Sequence, residues 1–473
     1  MPPELDLYAV DRGSVTAPAG CGKTQLIADT LALHDGPKPI LILTHTNAGA
    51  AALRGRLQRI RVPSSAYRLT TIDGFSMRLI ASFPLRSGHN PRILEINEPR
   101  YDYPAIRAAA SQLLRAGHIN EALRGTYSRL IVDEYQDCNL VQHAIIDALA
   151  VVLPTVVLGD PMQAIFGFAG NQLIHWQTQA EAQFPPFGIL RTPWRWRNAG
   201  TEALGHWLLE ARALLQDGRT VDLRDAPNEV AWVELDDVNA DRQRRAAALT
   251  PIAGHEETVL IIGDARNPRG RHQFASQTPG ATSVEAVDLS DLIAFARRFD
   301  LGAPDALREL VNFLADLMTQ VDAGNLIARI EIIRRGRART PPTPAESAAI
   351  AFADAPAIGT ALRLIQELEE QTHARVFRPE ILHCCRYAMR AAAVGDVTIL
   401  DAVMRARERN RHVGRPVARR AVGSTLLLKG LEADVAIVTE PAAMNAPNLY
   451  VALTRGARRL IVCSSTPELV PVA

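Results

Sequence analysis

Lysine is nearly absent from this chain. Of its 52 basic residues, 49 are arginine and only Lys23, Lys38 and Lys429 are lysine. Arginine's planar fork suits bidentate pairing, whereas a compact ammonium is needed where a cation must slide between phosphate oxygens. A coding bias explains the arginine excess but not the places where lysine remains. Cysteine is scarce as well. Cys21, Cys138, Cys384, Cys385 and Cys463 are odd in number and show no C-x-x-C spacing, which argues against a disulfide framework or a zinc knuckle and for reduced thiols. No apolar stretch approaches the roughly 20 residues that a membrane span needs. The opening Met1-Pro2-Pro3-Glu4-Leu5-Asp6 lacks the basic and apolar blocks of a secretory signal, so a cytoplasmic protein with no membrane partner is expected. The net charge of +1 exerts no global pull on nucleic acid, and any such affinity must come from local patches.

What is present is enough apolar material for several cores. A chain of 473 residues that is 47% hydrophobic is expected to form about three domains. From residue 14 to about 190, short β-rich runs alternate with helical patterns: Ser14 to Thr16, Pro39 to Thr44, Arg129 to Val132, Thr155 to Leu158 and Gly188 to Leu190. Such alternation predicts a parallel sheet flanked by helices. A second set at Val230 to Leu235, Thr258 to Gly263, Ala433 to Val438 and Leu460 to Ser464 predicts a second α/β unit. Between its strands, Leu289 to Phe299, Ala306 to Leu317 and Ile358 to Glu370 carry apolar residues at helical spacing, an all-helical insertion broken at Thr340-Pro341-Pro342-Thr343-Pro344. The expected division is a first unit at 1–187 with a short helical insertion at 76–126. A second unit follows in two parts, 188–282 and 421–473, around the helical insertion 283–420.

The segment Ala17-Pro18-Ala19-Gly20-Cys21-Gly22-Lys23-Thr24 follows a short strand and opens a helix at Gln25, the context that a phosphate-binding loop requires. Backbone amides of Ala19, Gly20, Cys21 and Gly22 would wrap phosphates, Lys23 would reach the terminal ones, and Thr24 would ligate Mg²⁺. Ala17 stands where the general pattern has glycine, and a bare glycine turn before a helix is the plainer reading. Further on, Leu130-Ile131-Val132 ends in Asp133-Glu134. At the end of a strand Asp133 would hold the metal shell and Glu134 would orient and deprotonate a water.

Seven ordered segments carry a family resemblance. They are the loop Ala17 to Thr24; Leu43-Thr44-His45-Thr46-Asn47 with Ala50, Ala51 and Leu53; Thr71-Ile72-Asp73-Gly74-Phe75; Ile131 to Asn139; Leu158 to Phe168; Leu190 to Arg195; and the C-terminal pair Lys429-Gly430-Leu431-Glu432 and Tyr450 to Arg455. Together they resemble the motifs of superfamily 1 DNA helicases of the UvrD/Rep/PcrA kind. The resemblance implies two RecA-like parallel-sheet domains, ATP and Mg²⁺ as cofactors, and ATP-driven 3′-to-5′ translocation on single-stranded DNA. It implies that Gln163 senses the γ-phosphate, that Arg195 and Arg455 act as arginine fingers, that Trp194 stacks on adenine, and that Glu432 takes the ribose. DNA would stack on His45 and Phe168, with Thr44, Thr46 and Asn47 on its backbone.

The pattern is also incomplete. No L-N-x-x-Q box precedes Ala17, Gln25 and Ala169 stand where arginines are usual, and Asp73 and Leu426 where histidines are. The stretch 76–126 is too short for the family's large first insertion. Compact proteins of this description resemble the helicase-like subunit of Gabija-type antiphage systems, which works beside an OLD-type ATPase-nuclease. A second function therefore stays open, a nucleotide-dependent sensor of DNA ends with little unwinding. The arginine-rich segments Arg334 to Arg339 and Arg405 to Arg420 fit duplex phosphate, a solvated face or a protein-docking surface equally well.

Overall fold

A computed structural model describes residues 4–167, 172–251, 257–395, 397–412 and 418–472. Its first sheet joins β1 (Arg12–Thr16), β2 (Ile40–Thr44), β3 (Tyr67–Thr71), β4 (Leu130–Val132), β5 (Thr155–Gly159) and β6 (Pro186–Ile189) in the order β3-β2-β4-β5-β1-β6, all parallel. The central strands are buried along their length because helices cover both faces, so they read as unbroken apolar runs. Period-two alternation sorts their side chains. Leu41, Leu43, Leu130, Val132 and Val157 face one core with Ile106, Leu113 and Ile145, while Ile40, Ile42, Ile131, Val156 and Leu158 face another with Leu26, Ile27, Leu31 and Leu53.

β7 (Val221–Asp222) pairs antiparallel with β14 (Glu468–Leu469). The second large sheet contains β8 (Val230–Glu234), β9 (Val259–Ile262), β10 (Thr282–Ser283), β11 (Arg420–Gly423), β12 (Ala433–Val438) and β13 (Gly456–Ser464). Its order is β10-β11-β9-β12-β13-β8, again all parallel. The architecture is the expected α/β pair of RecA-like sheets. Strands β3, β7, β10, β11 and β14 were not evident in the sequence: β3 is a half-exposed edge strand, and the others have only two to four residues.

Between β10 and β11 the described residues form seven α-helices, from Ser290–Arg298 to Ile399–His412, around one apolar cluster in which the Phe295 and Phe313 rings stack at 4.0 Å. The proline run predicted to break this segment does so. The Ala323–Arg334 helix ends before it, and the next begins at Pro344, where Thr343 and Glu346 form a capping box. The first insertion is short and helical, its main element being Pro99–Arg115. Arg420, at the end of the expected insertion, instead opens β11. It is buried and donates to the carbonyls of Ala248 and Thr250. No helix among the described residues is long and apolar enough to cross a membrane.

The helical segment is pinned to the second sheet by Arg378. This residue is 3% exposed, donates to both Glu285 oxygens at 2.7 and 2.8 Å, and reaches Asp291 at 2.6 Å. Removing one member of such a pair leaves an uncompensated buried charge. Arg378→Ala is expected to lower stability by about 3–5 kcal/mol in urea unfolding, and a loss below about 1 kcal/mol would show that the pair is dispensable.

Candidate active site

The loop after β1 is shaped by two glycines in the left-handed region, Gly20 at φ 71° and Gly22 at φ 85°. Neither tolerates a side chain. A Cβ on Gly20 would lie 2.5 Å from Trp196 Cζ3, and one on Gly22 would lie 2.8 Å from Trp194 Cδ1. Gly22 caps the Lys23–Ala32 helix without a side-chain bond, leaving that helix end to the loop's own amides. Ala17, in the position of the pattern's glycine, is simply a core residue.

Lys23 points at the end of β4. Its ammonium pairs with Glu134 and lies 3.0 Å from Asp133 Oδ1. Burial disfavours a charged lysine, yet the two carboxylates outweigh it and hold Lys23 above its ordinary value. Burial likewise raises Asp133 against the pull of Lys23. At Glu134 the desolvation is overcome by Lys23 and Lys429, which bring the carboxyl down to about 2. Glu134 adopts φ 55°, ψ 40°, a costly conformation for a residue with a side chain. Asp133 Oδ1 accepts from its amide at 3.0 Å, and Glu134 Oε2 accepts from Gln136 Nε2 at 2.6 Å. Thr24 lies in the first turn beside Lys23 and shows no side-chain partner among the described residues. A hydroxyl and a carboxylate are oxygen donors of the kind that Mg²⁺ takes, usually together with waters and substrate phosphates rather than in an all-protein cage.

The second unit clasps the same loop. Tyr450 Oη accepts from the Ala19 amide at 3.0 Å, the Arg195 amide donates to the Gly20 carbonyl at 3.0 Å, and Trp196 packs beneath Gly20. Trp194 opens a short helix and lies against Gly22, with the Arg197 guanidinium 5.1 Å from its ring. The two expected fingers differ. Arg195 donates to the Thr454 carbonyl at 2.6 Å and pairs with Glu432, whose side chain is 57% exposed. Arg455 is 2% exposed and gives its donors to Val451 O, Leu431 O and Thr454 Oγ1 at 2.8, 3.1 and 3.0 Å. Burial, then Arg195, lower it to about 10. Gln163 is turned onto Asp160, its amide 3.0 Å from Oδ2, while Arg212 holds Oδ1 at 2.7 Å. Tyr450 and Asp160 lie in segments that carry the resemblance but were given no role of their own, and nothing in the sequence sets Arg212 apart from the arginine background.

The second cluster lies past the ends of β2 and β3. His45 tilts against Phe166 at 5.7 Å, and burial brings its imidazole down to about 4, so the ring is neutral near pH 7. Thr44 Oγ1 and His45 Nδ1 are buried without a hydrogen-bond partner among the described residues, which is unusual for native polar atoms. Thr46 is occupied as the cap of the Asn47–Arg59 helix, accepting from Gly49 N at 3.0 Å, and Asn47 is exposed. Phe168 and Ala169 lie outside the described residues.

Two of the departures from the resembled pattern, Asp73 and Gln25, are engaged by local partners. Asp73 is held by Arg107 through two 2.6 Å bonds, Gln25 bridges Arg56 and Asp29, and Leu426 is 41% exposed. Of the arginine-rich segments, Arg334 pairs with Asp354, Arg335 with Glu331 and Arg407 with Glu408, while Arg409 covers Tyr387. Positions 413–417 lie outside the described residues.

Residues 94–185 match the family model described as the UvrD/REP helicase N-terminal domain. That stretch includes Asp133, Glu134 and Gln163 and excludes the glycine loop and both candidate fingers. No curated protein matches the chain. A solved Pif1 helicase from Candida albicans is similar at 15% identity over 57% of this chain and 52% of that one, with a TM-score of 0.33. The match spans about half of that helicase's length.

The His45 environment has a pH signature. Its folded value, about 4, lies below the ordinary 6.5, so its contribution to stability is present above 6.5 and is lost as the pH falls toward 4. His45→Phe keeps the ring and removes the titration. The loss of stability between pH 7 and pH 5 is expected to shrink by about 1–2 kcal/mol in the variant, measured by urea midpoints. Identical pH dependence in the two proteins would contradict the assignment.

Proposed function

We propose that this chain is a DNA-dependent ATPase of superfamily 1 type, which couples ATP hydrolysis between two RecA-like units to movement along single-stranded DNA. The observation that carries the reading is the meeting of Lys23, Asp133 and Glu134 at the ends of β1 and β4, under a loop that the second unit clasps through Arg195 and Tyr450. Lys23, Thr24 and the loop amides would receive the phosphates of ATP, with Trp194 against the base and Glu432 near the ribose. Thr24 and Asp133 would hold Mg²⁺, whose contribution when bound is to neutralise phosphate charge.

Glu134, kept ionised by Lys23 and oriented by Gln136, is the group suited to accept a proton from the attacking water. Arg195 is the finger best placed to act, since it stands at the loop and is tied to an exposed carboxylate that a nucleotide can displace. Arg455 spends its donors within the second unit, on Val451 O, Leu431 O and Thr454 Oγ1. The unpartnered Thr44 hydroxyl and His45 nitrogen favour a strand laid across the first unit, and family resemblance gives its direction as 3′-to-5′.

One observation favours the second reading, a sensor of DNA ends with little unwinding. Asp73, standing where the resemblance has a histidine, spends both carboxylate oxygens on Arg107 and so offers no donor to a strand phosphate. ATPase stimulation by duplex ends but not by circular single strands would select that reading.

Lys23→Ala is expected to reduce strand-stimulated ATP hydrolysis by at least about a thousandfold, since the cation is lost from the charge that develops at phosphate. Stimulated hydrolysis at the wild-type rate in this variant would overturn the proposal.

A further inference from the structure

Lys38 is the lysine that stands apart from the candidate active site, and neither the nucleotide nor the strand uses it. It lies at the opposite edge of the first sheet. The sheet is parallel, so the starts of β2, β4 and β5 share one edge, whereas Lys23, Asp133 and Glu134 meet at the other. Lys38 precedes β2, Ser128 precedes β4 and Pro154 precedes β5. Backbone bonds lock these starts together, with Ser128 N donating to Pro39 O at 3.1 Å and Leu130 N to Pro154 O at 2.8 Å.

A cavity of about 460 Å³ opens on this edge, walled by Pro37, Tyr127, Val152, Leu153 and Pro154. Val151, next along the chain, is 68% exposed, so apolar surface continues past the mouth. Lys38 and Arg124 also line the cavity, and both are exposed. The Lys38 ammonium donates to the Arg124 carbonyl at 2.8 Å, which holds it at the carbonyl end of the Asn120–Thr126 helix and leaves further N–H groups available. Neither cation pairs with a carboxylate among the described residues, and no acid lines the cavity. Ser128 Oγ, in the same lining, is buried with no hydrogen-bond partner among the described residues. Buried hydroxyls are normally satisfied.

We propose that this edge of the first sheet docks a partner protein through an acidic segment that carries an apolar side chain. The apolar side chain seats against Tyr127, Val152 and Leu153, and the carboxylates beside it accept from Lys38, Arg124 and the Ser128 hydroxyl. Charge complementarity selects the acidic character, and the continuation over Val151 suits a peptide longer than the cavity itself. A nucleic-acid backbone would satisfy the two cations but leave the apolar wall exposed to water. Docking at this edge leaves the glycine loop open, and the inference stands independently of the proposed activity.

The test is fluorescence anisotropy on the full chain with a labelled peptide, acetyl-Asp-Glu-Leu-Phe-Glu-Asp. Its comparators carry the same label: Lys-Arg-Leu-Phe-Arg-Lys, Asp-Glu-Ser-Ser-Glu-Asp and duplex DNA. The acidic apolar peptide is expected to bind with Kd on the order of 100 µM or tighter, and to weaken as salt is raised. Binding to the Lys38→Glu, Arg124→Glu double variant should be at least about tenfold weaker, because reversed charges face the carboxylates. The serine peptide should bind wild type at least about tenfold more weakly, because the apolar anchor is lost. No binding of the acidic apolar peptide overturns the proposal, as does equal binding to wild type and the double variant. Basic or serine peptides that bind as tightly overturn it too. Duplex DNA that alone loses affinity in the double variant would mark a nucleic-acid surface and overturn the docking of a protein. Where the double variant has a lowered urea midpoint, the comparison of the three peptides on wild type decides.

Discussion

A buried ammonium shared by two carboxylates sets the terms for the structure around it. Lys23 could not stay charged in that position alone, because desolvation opposes it; the two carboxylates offset that cost, and Lys23 in turn opposes the effect of burial on both of them. Their positions are fixed by the backbone at two strand ends. Left-handed glycines at 20 and 22 turn the loop so that the helix begins at Lys23, and the left-handed conformation of Glu134 turns the chain at the end of β4. An incoming polyphosphate must win Lys23 from its two partners. Under the proposed function, that competition would make the arrangement responsive to nucleotide rather than a fixed ion pair.

The remaining contacts follow from a second unit closed onto this centre. Tyr450, Arg195 and Trp196 take the loop's amide, carbonyl and glycine face, and Arg212 and Lys429 take Asp160 and Asp137. Both aspartates are almost wholly buried, and burial raises Asp137 to about 7 against the pull of Lys429. Asp160 after β5 and Asp137 in the turn after β4 are therefore held by cations from the second unit, whereas His45 after β2 meets Phe166 of the first. Motion between the units and chemistry at the strand ends are linked by these contacts, because relative movement must exchange or break them.

The parts of this arrangement that were legible in the sequence are the local ones. Ile40 to Thr44 and Thr155 to Gly159 are buried throughout and mostly apolar because helices cover both faces of the sheet, and the glycine loop carries its own backbone signature. Tyr67 to Thr71 escaped notice because an edge strand need not be apolar, and Thr282 to Ser283 because two residues make a strand only through their neighbours. The Tyr450 bond to Ala19 spans 431 residues, and no spacing rule reaches that far. Thr46 illustrates the reverse case: a hydroxyl expected to face a DNA backbone is engaged in capping a helix. Lys429 stood out by scarcity and by opening the Lys429-Gly430-Leu431-Glu432 segment, but its contacts with Asp137, Gln163 and Phe166 appeared only in the fold.

The central claim is that the nucleotide site is completed from the second unit, and Arg195 tests it most directly. The measurement is single-turnover ATP hydrolysis by Arg195→Ala in the presence of single-stranded DNA, with ATP affinity determined in parallel. The account predicts that hydrolysis falls at least about a hundredfold while affinity changes less than about tenfold, as for a group that acts mainly on the transition state. Hydrolysis at the wild-type rate in Arg195→Ala would mean that the first unit works alone, and would contradict the account.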